Sequence, residues 1–273
     1  MNLKLISALV LRDLRLTLKS KGVMLPMLIV PILSLVLLPV LAVMAPTVGP
    51  PSGSTINALG SIINWMAPEL QAELANYTTL QRWVMLVLVY FLAPLFLVVP
   101  LMVASVIAAD SFAGEKERKT MEALLYTPSD DRELFVAKLL SAWIPAMSVA
   151  FGSFILYAFV ANWVAWPIMD RFLFPNAMWL VLVGWVAPAV AGMGLSVTIL
   201  ISSRVQSFQE AFQLGGFVVL PIVILLVGQI AGLMYFSLEL VFLLGLAFWV
   251  VDGLLILAGS RLFTRENLLS GRM

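Results

Sequence analysis

The sequence predicts an all-α integral membrane protein, and three observations carry that prediction. Of 273 residues, 62% are hydrophobic and only 11% charged, with a mean hydropathy of +1.05. So few charged groups cannot cover the outside of a water-soluble globule of 29.9 kDa, so lipid is the natural solvent. Stretches free of Asp, Glu, Lys and Arg are also long enough to cross about 30 Å of hydrocarbon, which takes roughly 20 residues. Five are uninterrupted, between Lys21 and Glu69, Arg82 and Asp110, Lys138 and Asp170, Arg171 and Arg204, and Glu210 and Glu239. A sixth, from Leu240 to Ser260, is broken only by Asp252. Third, the basic residues divide 14 to 2 between alternate loops, as the positive-inside rule requires of a spanning chain.

Turn and breaker residues trim these stretches to spans at 23–45, 83–109, 139–163, 177–201, 214–236 and 240–260 within a single transmembrane domain, 1–273. The first is too long and too rich in proline for a cleavable leader, and no small-x-small site follows it. Lys4, Arg12, Arg15, Lys19 and Lys21 precede the first span, and Lys116, Arg118, Lys119, Arg132 and Lys138 occupy the 110–138 loop. Arg204, Arg261, Arg265 and Arg272 share that side, leaving Arg82 and Arg171 on the other. Both termini, the 110–138 loop and the 261–273 tail are therefore expected in the cytoplasm, and the 46–82 loop outside.

Residues 1–21 read as an interfacial helix. At about 100° per residue, Lys4, Arg12, Arg15 and Lys19 fall within an arc of about 80°, while Leu3, Ile6, Val10, Leu14 and Leu18 share another face. The apolar face suits the acyl boundary, and the four basic residues suit the membrane surface, at about 1 kcal/mol each against anionic headgroups. The 46–82 loop opens on breakers, Pro46 to Gly53, and then places Ile56, Leu59, Ile63 and Met66 at helical spacing. Pro68-Glu69 starts a second small helix, since proline lacks only a donor that the first turn does not use. Asn76-Tyr77-Thr78 matches a glycosylation acceptor, a weak three-residue pattern. Proline recurs inside the spans at positions 26, 31, 39, 94, 100, 145, 188 and 221, where each removes a backbone donor and bends its helix.

Composition excludes much chemistry. There is no Cys and no His, so disulfides, thiolate or imidazole metal sites and histidine-based nucleophilic triads are out of reach, and no metal site is expected. No basic patch outside the membrane-flanking loops suits nucleic acid. Nor does any G-x-x-x-x-G-K-[ST] run cradle phosphates, so the chain has no nucleotide site of its own and no catalytic residues are assigned.

The densest polar cluster is Asp110 to Glu133. Gly114 is expected to break the second span, and Glu115, Glu117, Arg118, Lys119 and Glu122 to cover a short helix whose other face is Met121, Leu124 and Leu125. Thr127-Pro128 ends it, and Ser129 caps the next helix. A stiff amphipathic helix between two spans is something a soluble partner could push on; an ordinary solvated loop is the equal alternative. Asp252 is the one carboxylate inside a predicted span, at a cost of roughly 2.5 to 3.5 kcal/mol unless neutral, paired or facing water. It is a candidate contact in a substrate path, or a packing residue. Gly228 and Gly232 form a small-xxx-small stripe for helix packing, and Gln229 beside them could bond another helix or line a path.

Here the residues carry a resemblance. Glu115-Lys-Glu-Arg-Lys-Thr-Met-Glu-Ala-Leu-Leu-Tyr-Thr-Pro128, followed by Glu133-Leu-Phe-Val-Ala-Lys-Leu-Leu140, is similar to the signature of ABC-2 type permeases, the membrane subunits of ATP-binding-cassette exporters. The family pattern continues with Gly-Lys where this chain has Ala137-Lys138. Ser202 to Gln213 resembles the family's second cytoplasmic loop, and Arg261 to Leu269 its C-terminal tail. The resemblance implies that Glu115, Glu117, Arg118, Thr120, Glu122, Leu124, Leu125 and Thr127 belong to a coupling helix seated on a separate ATPase subunit. It implies a homodimer or heterodimer with a second six-span permease, in contact with membrane lipid. It also implies that this chain binds no cofactor, ATP and Mg lying on the partner, and it points to a bacterial or archaeal plasma membrane. Two readings of other classes compete: a self-sufficient ion-coupled carrier using Asp252, and a membrane scaffold that transports nothing.

Overall fold

The computed structural model describes residues 7–8, 10–12, 21–46, 68–120 and 131–262. Among them there is no strand, and six helices are long and apolar enough to cross a membrane. In chain order the helices are α1 (21–44), α2 (Pro68–Leu74), α3 (Thr79–Glu117), α4 (Asp131–Met169), α5 (Ala177–Ser202), α6 (Phe208–Ile230) and α7 (Leu238–Leu262). All but α2 are candidate spans.

Burial ranks them. In α3 and α5, 83% and 72% of the apolar window is buried by the rest of the chain, against 28% in α1, 33% in α6 and 22% in α7. The centre is therefore an α3–α5 pair, with the other spans around it presenting apolar side chains outward, as a lipid-facing helix must. Small residues set how closely the centre packs. A methyl on Gly194 of α5 would stand 2.9 Å from the Leu101 carbonyl oxygen of α3, so the two backbones are in contact there. Gly245 of α7 takes the edge of the Trp185 ring in the same way, at 2.3 Å from Cδ1.

The helices are not regular, and proline explains most of the departures. Wide π-helical turns at Leu33–Leu37, Leu86–Phe91 and Leu182–Val186 and a tight 3-10 turn at Gly216–Val219 lie shortly before Pro39, Pro94, Pro188 and Pro221. A proline ring clashes with the carbonyl four residues back and cannot donate to it, so the preceding turn opens or tightens and leaves acceptors without their usual donor. Aromatic side chains supply donors. The Tyr157 hydroxyl donates to the Leu88 carbonyl, and the indole N–H of Trp179 to that of Val89 at 2.8 Å. Trp249 donates to the Trp185 carbonyl in the opened turn at 3.2 Å, and Trp143 adds a bond to the Pro188 carbonyl just past it at 3.1 Å. Trp179 and Tyr157 also stack, with centroids 4.7 Å apart, inside a cluster with Phe96, Phe154 and Phe174.

Several boundaries differ from the sequence reading. Gly114 does not break the second span: α3 continues to Glu117 through a π turn at Asp110–Gly114, so Asp110 lies within the helix. The third span, expected at 139–163, is continuous with the helix expected after Ser129, and the two make one helix of 39 residues, about 58 Å at roughly 1.5 Å per residue. The fifth ends at Ile230, not 236. Gly232 there has φ 73°, the Gly232 N–H bonds the Gln229 carbonyl at 3.1 Å and the Leu233 N–H bonds the Gly228 carbonyl at 2.9 Å. That is a helix-ending motif, and glycine is the residue that adopts its left-handed geometry without strain. Of the expected N-terminal helix, residues 7–8 and 10–12 are described and helical. The helix expected around 56–66, the 121–130 segment and the tail beyond 262 lie outside the described residues.

Candidate functional site

Contacts sort the loops into two ends. One end gathers Arg12, the close of α3, the start of α4, the α5–α6 connection and Gly259 of α7, whose Cβ position is 3.5 Å from Phe135. The other gathers α2, the start of α3, the α4–α5 connection and the segment before α7. Arg82 and Arg171, set apart by the sequence, are both at this second end, and the first is the basic end.

At the basic end a buried lysine organises the site. Lys138 of α4 is 1% exposed; its ammonium donates to the Glu115 carboxylate and to the Ser111 carbonyl of α3, both at 2.7 Å, and to the Ser111 hydroxyl at 3.4 Å. It also lies 5.1 Å from the centre of the Phe112 ring. A buried cation needs both a counter-charge and hydrogen-bond acceptors, and α3 provides each from a single turn. The second oxygen of Glu115 accepts from the Arg12 guanidinium at 3.3 Å. One carboxylate thus ties the N-terminal segment, α3 and α4 together.

The next residues tie α3 to α6. Lys116 donates to the Val205 carbonyl at 3.2 Å, and the Glu117 carboxylate accepts from the Phe208 N–H at 2.9 Å. Phe208 is the first residue of α6, so Glu117 sits at a helix N-terminus whose unpaired N–H groups favour an anion. Ser207 caps the same helix by accepting from the Glu210 N–H at 3.2 Å. Arg118 folds back onto Asp110 at 3.0 Å. Lys119 has φ 57° and turns the chain out of α3, and Thr120 closes that turn on the Glu115 carbonyl, with its N–H at 2.9 Å and its hydroxyl at 3.2 Å.

The sequence candidates fall accordingly. Glu115 is buried and internal, whereas Glu117, Arg118, Lys119 and Thr120 are exposed. Glu122, Leu124, Leu125 and Thr127 lie outside the described residues, as do Lys4, Arg15 and Lys19. In the sequence Lys138 counts among the loop charges and matches the lysine of the family pattern, without a partner assigned; a lone lysine starting an apolar run, with Glu115 across the intervening loop, is the signal that points to the pair.

Asp252 is 2% exposed and accepts from the Ser196 hydroxyl of α5 at 2.8 Å. It presses on Gly192, where a Cβ would stand 2.1 Å from its Oδ2, so it fills a notch between α5 and α7. Gln229 is buried, and its Oε1 accepts no hydrogen bond among the described residues. Gly228 packs against Met234 of the following segment, 2.9 Å from the methyl carbon to a built Cβ, so its small side serves the turn after α6. Gly232, past the end of the helix, is not part of a packing stripe.

No curated protein and no solved structure matches the chain. The family described as ABC-2 family transporter protein matches residues 7–249, which takes in both the basic end and all six spans as far as Trp249 of α7. Members of that family generally work with an ABC ATPase. With that match across most of its length, the chain belongs to the ABC-2 transporter family and is an integral membrane transport subunit that is not itself the ATPase.

Proposed function

We propose that this chain is the permease subunit of an ATP-driven exporter, with its basic end in the cytoplasm and a separate ATPase docked on the segment that follows Glu115. The observation that supports this most is the linkage at that end. Glu115, Lys116 and Glu117, three consecutive residues at the close of α3, contact the N-terminal segment, α4, the α5–α6 connection and the N-terminus of α6. A push on the exposed residues Glu117 to Thr120 is transmitted to three spans at once. The chain carries no phosphate-binding loop, so hydrolysis belongs to the partner, and closure of two ATPase subunits would drive two such permeases, identical or not, about a shared path.

The burial of Glu115 divides the coupling segment by role. Glu115 positions the segment, and the exposed Glu117, Arg118 and Thr120 present it. Replacing Glu117, Arg118 and Glu122 together by Ala should leave the chain folded and inserted but separate ATP hydrolysis from transport. Measuring both rates on the purified complex in vesicles tests this, and fully coupled transport in the triple variant would overturn the docking assignment. The carrier reading predicts transport with no ATPase and its loss in Asp252→Asn. Its one carboxylate is held by Ser196 and Gly192 in an interhelical notch, a setting that favours packing.

A further inference from the structure

The end opposite the basic one holds a cavity of about 460 Å³ that the transport reading does not use. Its walls come from α2, the start of α3, the α4–α5 connection and the segment before α7. Glu73 of α2 stands on one side. Its Oε2 accepts from the Tyr90 hydroxyl at 2.8 Å and the Tyr235 hydroxyl at 3.0 Å, and the two rings pack on each other with centroids 5.3 Å apart and planes inclined at 51°. Its Oε1 receives no donor from the described residues. Arg171 lines the cavity as well; it lies against the Tyr77 ring, 4.9 Å from the centroid, and gives one N–H to the Tyr77 hydroxyl, which leaves other donors of its guanidinium to a ligand.

A carboxylate with one oxygen open to a cavity selects an ammonium group by charge and as a hydrogen-bond acceptor. A guanidinium beside it selects a phosphate. The volume is in the range that holds a small ligand, about 300 to 1,000 Å³. Its depth is marked independently by Trp163, Trp166 and Phe172, which are 69%, 45% and 73% exposed. Trp166 and Phe172 pack ring to ring at 5.0 Å, and Asn162 beside Trp163 binds Leu173 and Phe174 of the cavity-bearing connection. Outward-facing tryptophans of this kind gather at headgroup level.

We propose that this cavity binds a zwitterion, its ammonium against Glu73, Tyr90 and Tyr235 and its phosphate against Arg171, the chemistry of the phosphatidylethanolamine headgroup at that level of the membrane. The site stands whether or not an ATPase docks at the other end. The test is native mass spectrometry of the full chain in detergent, titrated with phosphatidylethanolamine, phosphatidylglycerol or free phosphoethanolamine. Saturable phosphatidylethanolamine binding is expected, weakened at least tenfold by Glu73→Gln and separately by Arg171→Gln. Both side chains lie on the exposed rim, and an unchanged melting midpoint shows that the variants fold. Competition by free phosphoethanolamine at similar concentration identifies a soluble zwitterion as the occupant, whereas competition by the lipid alone identifies the headgroup. Equal binding of phosphatidylglycerol, or unaltered phosphatidylethanolamine binding in Glu73→Gln, would overturn the proposal.

Discussion

The two ends of the bundle are held together by different chemistry. At the basic end the polar contacts are charged and partly buried: Lys138 on Glu115, Arg12 on Glu115, Arg118 on Asp110. At the other end most are neutral donors on backbone carbonyls and loops: Trp83 to Ala42 at 2.8 Å, Gln81 to Ile168 at 3.1 Å, Asn162 to Phe174 at 2.8 Å. Removing one partner of a buried charge pair leaves the other charge unsolvated, while a lost neutral bond leaves only a dipole. The basic end therefore responds sharply to a change at a single residue, which suits the end that receives force. The opposite end tolerates change and suits a fixed rim.

The largest expected effect follows from that asymmetry. Lys138→Met should lower stability by about 3 to 5 kcal/mol, because Glu115 is left buried without its main cation, and Lys138→Met with Glu115→Leu should recover much of the loss. Thermal melting in detergent checks both. If the single variant melts like the wild type, the pair does not organise the basic end. Gly192→Ala comes next, at about 1 to 3 kcal/mol, since the new methyl collides with Asp252 while Ser196 holds that carboxylate. Gly152→Ala and Gly184→Ala, which meet nothing within 4 Å, are the controls and should stay within about 1 kcal/mol of the parent.

Away from the basic end the effects should shrink. Trp179→Phe keeps a ring in the cluster but strands the Val89 carbonyl at an opened turn, and about 1 to 3 kcal/mol is expected in the same melting assay. A drop as large as that of Lys138→Met would erase the contrast between the ends. The smallest is Thr78→Ala, about 1 kcal/mol. Thr78 caps α3 by accepting from the Gln81 N–H at 3.4 Å while Gln81 accepts from the Thr78 N–H at 3.1 Å. This reciprocal cap gives the tripeptide Asn76-Tyr77-Thr78 a structural role.

How legible each feature was in the sequence depends on whether its cause is local. Charge-free runs locate spans because the cost of inserting charge is paid residue by residue, and the fourth span, read as 177–201, is Ala177–Ser202. Helix ends were harder to place where partners are remote. Asp131 to Lys138 reads as the polar start of a helix capped by Ser129, but its running unbroken into the third span is not legible until Glu115 is known to receive Lys138, and Gly114 reads as a breaker until α3 is seen to pass it in a wider turn. The Gly228–Gly232 spacing reads as a packing stripe, although φ at Gly232 makes it a helix end. The cavity at the far end was invisible, because Glu73, Arg171 and Tyr235 come from three separate connections and no spacing links them. The coupling segment is legible as the densest polar cluster between two spans, whereas the kind of partner it serves is legible only through its resemblance to a family pattern.

The central claim is that the basic end receives a separate ATPase, and site-directed cross-linking tests it most directly. The chain contains no cysteine, so a single Lys119→Cys or Phe172→Cys gives one thiol at either end of the bundle. Treated with a short thiol-to-amine cross-linker in native membranes, Lys119→Cys should join a P-loop ATPase identifiable by mass, and Phe172→Cys should not. An ATPase captured from Phe172→Cys alone, or ATP-independent transport with no ATPase captured from Lys119→Cys, would contradict the account.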